Sequence, residues 1–147
     1  MTKSVNLQIK EGLVTLFGAI PGVNAAFLSR QQPVGESERK AGPVIILREE
    51  VTSAATDNQL TLPQTLQLRI SIYVSLTVGE ETLDELVDPY WQAINTVMHG
   101  SARQLPGVQG VTFVQKEPEA EDDAGRLDVF WNIIYRTYQL DLTQPAP

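Results

Sequence analysis

Side-chain chemistry needs convergent groups, and these 147 residues supply few that could converge. His99 is the only histidine, and there is no cysteine. A histidine metal cluster, a thiolate site, a disulfide and a cysteine nucleophile are thereby excluded, and a Ser-His-Asp arrangement would depend on one residue. That residue closes a helix-periodic segment, where an imidazole complements the helix dipole. The densest carboxylate group is Glu117, Glu119, Glu121, Asp122 and Asp123. Its alternation before Gly125 faintly follows a calcium loop, but the glycine is one place late and no bidentate glutamate follows. A solvated hairpin tip is the simpler reading. The carboxylate pair of a glycosidase would need an apolar cleft to push two acidities apart, which a polar run does not offer. No glycine-rich phosphate loop is present. The sequence therefore predicts no catalytic residue, no metal site and no cofactor.

Arg30, Arg39, Lys40 and Arg48 form a basic group, interleaved with Glu36, Glu38, Glu49 and Glu50 and without stacking aromatics. Such a mixture is a poor nucleic-acid footprint. The net charge of −7 opposes stable binding to nucleic acid or to an anionic membrane. No stretch has the length and apolarity of a membrane span. Residues 12–29 carry no charge and could pass for a secretory signal, but Glu11 heads the run and Pro21-Gly22 interrupts it. A soluble, cytoplasmic protein is the expectation.

The elements that must position these groups follow from periodicity. Val5, Ile9, Leu13, Leu16, Phe17 and Ile20 fall on one face of a helix over Ser4–Ala19, closed by "IPGV". A short strand at Asn24–Ser29 follows. Arg30–Pro43 has neither period and reads as a long mobile loop. "VIILREEV", Val44–Val51, suits a central strand running out into solvent.

"TLQLRISIYVSLTV", Thr65–Val78, alternates without a break, its even positions apolar and its odd ones polar or amphipathic. That is a strand with one buried face, far longer than the usual five or six residues, and it forms an extended hairpin with the strand before it. "TLDE" at Thr82–Glu85 has capping-box spacing and opens a second helix, down to His99-Gly100. Pro89 inside it predicts a kink or a restart with Asp88 as cap. "LPGV" at Leu105 repeats the turn chemistry of "IPGV", and a strand follows. The last strand, Arg126–Leu142, moves its apolar residues from odd to even positions, which predicts a bulge or cover on both sides. Trp91 and Trp131 lie in apolar surroundings and read as core, and 143–147 as a tail. The whole is one α+β domain, a mostly antiparallel sheet of four or five strands with two helices on one face.

This order, with "GPVIILREE", "LQLRISIYVSL", "TLDELVDPYWQAINTVM", "LPGVQGV" and a closing strand containing "YRTY", resembles the tail-terminator proteins of long-tailed bacteriophages and prophages. The resemblance covers about Val5 to Leu142. It implies a non-enzymatic virion protein forming a hexameric ring that caps the tail tube, stops its growth and presents a surface to the head. Its partners would be other copies of itself, the tail-tube protein and a head-completion or connector protein. Its place would be the host cytoplasm during assembly and then the virion tail. The expected contact residues are Arg30, Arg39, Lys40, Arg48, Arg69, Ser71, Tyr73, Glu119, Glu121, Asp122 and Asp123. Another virion part, such as a head–tail connector or tube protein, and a small-molecule binding domain are the alternatives.

Overall fold

In the computed structural model, residues 2–54, 61–76 and 82–147 are described. Helix α1 spans Val5–Gly18, with the Ser4 hydroxyl accepting from the Leu7 amide at 3.2 Å. Its buried residues Val5, Ile9, Leu13 and Phe17 recur every fourth position, so one stripe faces the sheet. The chain then turns at Pro21-Gly22 into β1, Ala25–Leu28. Gly22 has φ of +89°, and Gly107 in the matching "LPGV" turn has +76°. At Gly107 a Cβ would also stand 2.9 Å from the Arg136 carbonyl oxygen. Both glycines are required by backbone conformation, which accounts for the echoed motif.

The segment read as a long mobile loop contains a helix, α2, Glu36–Ala41. Six residues are too few to show a period, but local chemistry supports them. The Glu38 carboxylate accepts from the Gly35 amide at 3.1 Å, and Lys40 pairs with Glu36 one turn earlier at 2.9 Å.

Two long hairpins follow. The first joins β2, Val44–Ala54, to β3, Thr61–Ser75. The second joins β4, Val108–Glu121, to β5, Ala124–Tyr138. Between them lies α3, Leu83–His99, with Thr82 as its N-cap. Pro89 neither ends nor restarts α3, which runs continuously past it. Its missing N–H leaves the carbonyl one turn back without the usual intrahelical donor. The last strand ends sooner than its composition implies, and Asp141–Pro145, at the expected tail, forms a short strand β6 against β5.

Among the described residues the sheet has six strands in the order β1-β2-β3-β5-β4, with β6 also on β5. It is mixed, because β1 runs parallel to β2 while the remaining pairings are antiparallel. The expectation of a mostly antiparallel sheet of four or five strands, with two helices, is corrected to this extent. A parallel β1 arises because the chain crosses over through the α2 segment before adding β2.

The main core lies under α1 and α3. Leu66, Leu68, Ile70, Ile72 and Val74 of β3 meet Val129, Trp131 and Ile133 of β5 there, each 4% exposed or less. The expected change of face in β5 does not occur: Leu127, Val129, Trp131, Ile133, Tyr135 and Thr137 share the core face, and only at Asp128, buried on the opposite face, is the strand covered on both sides. Ile134 and Tyr138 lie exposed on the other face, which explains the apparent switch in the sequence. A polar chain ties α1 to the sheet: Asn6 donates to Tyr135 Oη (3.1 Å), which donates to Gln64 (2.8 Å), which donates to Thr137 (3.1 Å).

Candidate functional site

The face of the sheet turned away from α1 and α3 holds the expected contact residues. At its β1–β2 side the segment from Arg30 to Gly42 folds across it. Val34 packs on Val44 and Ile46, with Phe27 and Tyr73 beside them, to make a second small core. The odd face of β3 is therefore partly covered, contrary to its expected exposure to water or partners. Ser71 is only 1% exposed and donates to Asp128 Oδ1 at 2.6 Å across the β3–β5 pair. Asp128, 4% exposed, also has Arg126 Nε 3.1 Å from its other oxygen. Arg126 reaches on to Glu119 of β4. Burial works against the Arg126 charge, but Asp128, Glu119 and Tyr73 outweigh it and hold its pKa above the ordinary value. Sequence reasoning missed Asp128 and Arg126. An acid and a base alternating with Leu127 and Val129 read as an ordinary solvent-facing side of a strand, so the sequence held no signal of their burial.

The covering segment is fastened by charge. Arg30 grips Glu38 with both terminal nitrogens, at 2.6 and 2.7 Å, and donates to the Pro33 carbonyl. The Arg30 guanidinium first, and the Gly35 amide second, hold the Glu38 carboxyl down at about 2. Arg48 donates to the Arg30 carbonyl at 3.0 Å, and Arg39 to the Val34 carbonyl at 2.7 Å.

Between this segment and the turn end of the β4–β5 hairpin lies a cleft of about 290 Å³. Gln31, Gln32 and Pro33 form one wall, Val34 and Ile46 contribute apolar surface, and Glu119, Glu121 and Arg126 stand on the hairpin side. Of the residues singled out from the sequence, Arg39, Arg48, Tyr73, Glu119 and Glu121 line this cleft together. Arg30 is engaged with Glu38, Lys40 with Glu36, and Arg69 with Glu50 at 2.9 Å. Asp122 and Asp123 make the hairpin turn, where the Asp123 carbonyl accepts from the Leu76 amide at 2.7 Å.

The acidic run is thus mostly strand rather than loop. Glu117, Glu119 and Glu121 alternate along β4 and share one face. From Thr112 to Glu121 every residue of this edge strand is exposed. Farther along the same sheet face the surface turns apolar. Ile134, Tyr138 and Val51 are each more than 40% exposed, and Leu140 in the β5–β6 turn and Leu142 on β6 are exposed as well.

His99 ends α3, its ring edge-on to Trp131 with centroids 5.4 Å apart. Trp131 is core; Trp91 is half-buried and bridges it to Phe113 on β4. Among the described residues no three His, Asp or Glu side chains are placed to hold a metal ion. No helix among them is long and apolar enough to cross a membrane.

The chain matches no protein-family model and no curated protein sequence. Among solved structures it is similar to a chain in the virion of a native gene transfer agent (GTA) particle. That similarity has a TM-score of 0.44 at 14% identity, over 91% of this chain and 92% of the other.

Proposed function

We propose that this chain is a non-enzymatic structural protein of a phage-type virion. It forms a ring, of six copies by the sequence resemblance, that caps a tail tube, ends its polymerisation and offers the surface on which a head is joined. The character of β4 carries this reading over that of a tube protein. An exposed edge strand ordinarily invites endless strand addition. Here the register breaks between Val108 and Gly110 and again between Phe113 and Gln115. Pro118 brings no N–H, and Lys116, Glu117, Glu119 and Glu121 crowd the same strand. The opposite edge, β1, has only four residues. Both edges discourage propagation, while the open sheet face and its apolar end leave area for a bounded contact. That is what a stopper needs.

The test is to co-express the chain with the tube protein from its own genome and measure tube lengths by electron microscopy. Six-fold rings, and tubes of bounded length that grow without limit when the chain is omitted, are the expected result. Long cylinders built from this chain alone would identify a tube protein instead.

A further inference from the structure

Among the described residues, two of the arginines that line this cleft, Arg39 and Arg48, hold no carboxylate in an ion pair. On this side of the sheet Arg30, Arg69 and Arg126 each hold an acidic partner. Arg39 and Arg48 donate only to backbone carbonyls, and Arg39 Nε is buried with no acceptor. A buried, unanswered guanidinium N–H in a chain of net charge −7 calls for an acceptor from outside. The cleft is lined by three arginines and two glutamates, a net of +1. Glu119 is already bound to Arg126, so the lining leaves one carboxylate, Glu121, and two guanidinium groups, Arg39 and Arg48, outside any ion pair, with Glu36 acting on Arg39 only at longer range. Such a balance accepts a monoanion. It disfavours a phosphate, whose second charge would meet Glu121.

We propose that this cleft receives a carboxylate side chain from a second copy of the chain. The inference rests on the ring reading above. Charge complementarity supports the choice of occupant. Each copy carries 18 acidic against 11 basic residues, so neighbours present surplus carboxylates and few cations. Arginine takes a carboxylate through two parallel N–H donors, a geometry that lysine lacks.

Arg39→Gln and Arg48→Gln are to be compared with Arg103→Gln, which makes the same change in net charge at an exposed site away from the cleft. In sedimentation, each cleft variant should raise the concentration needed for ring formation about tenfold or more over the control. Arg39→Lys should behave like the Gln variant. Rings that form equally well in all three Gln variants overturn the inference and leave the ring reading standing. Wild-type protein that forms no ring, alone or on a tube, overturns both. Should the cleft variants fail to fold, acetate titrated into 15N-labelled wild type decides: a saturable shift of the Arg39 Nε–H resonance is expected, and none overturns the site. Inorganic phosphate that shifts the same resonance at lower concentration overturns the carboxylate assignment.

Discussion

Ser71 and Ile72 are neighbours in the chain, point to opposite faces of β3, and are both buried. Alternation alone makes them unequal, Ile72 in the core and Ser71 at the surface. The structure removes that difference, because Val34 and the segment around it cover the Ser71 side. Ile72→Asp leaves an unpaired charge in the main core and should cost about 3 kcal/mol or more. Ser71→Asp sets a second carboxylate against Asp128 and should also destabilise. Ser71→Ala, which only removes a donor, should cost about 1–3 kcal/mol. Urea melts of the three variants check this, and a Ser71→Asp protein as stable as wild type would show that this face is not closed. The limit of the sequence is physical at this scale: a period of two reports which residues share a face, and says nothing of what lies over it.

Among the elements, the long strand, both flanking helices and the two Pro-Gly turns were legible, since each carries many repeats or an obligatory glycine. The segment from Arg30 to Pro43 was not. Its order comes from single contacts, above all Arg30 on Glu38. Glu38 has a pKa lowered from an ordinary 4.5 to about 2. A depressed carboxyl stabilises the fold fully above its ordinary pKa and loses that contribution as pH falls through its folded one. The fastening should therefore weaken between about pH 4.5 and pH 2. Carboxyl 13C chemical shifts should place the Glu38 midpoint near the lower value, and a midpoint near 4.5 would show that the ion pair does not form. Glu38→Gln removes the charge at any pH. It should open the segment to trypsin at Arg39 and Lys40 near neutrality, with the remainder of the domain still folded. Equal digestion of variant and wild type would show that the apolar contacts of Val34 hold the segment without the ion pair.

Across the whole molecule, charge is what the proposed ring would have to contend with. The topology that sets this pattern was only half legible: strand order and the parallel β1 depend on contacts far apart in sequence, which periodicity does not carry. The acidic run was visible, but its place along an edge strand was not. Arg126 answers Glu119, while Glu117, Glu121, Asp122 and Asp123 have no ion pair within the described structure. Copies of charge −7 brought around one axis repel over distances that salt can screen, the screening length falling from about 10 Å at 0.1 M to about 3 Å at 1 M. A carboxylate held between Arg39 and Arg48 is in contact and partly desolvated, so salt weakens it much less. The two effects oppose each other, and the long-range one responds more to salt. Mostly monomer is therefore expected at low salt, with more ring as salt or protein concentration rises. Neutral amides at Glu121, Asp122 and Asp123 should move the low-salt equilibrium toward the ring, with Glu119 left in place to hold Arg126. Sedimentation at two salt concentrations measures both effects. A ring that falls apart as salt is raised would show that exposed ion pairs hold it together, and that the carboxylates of β4 attract rather than restrain.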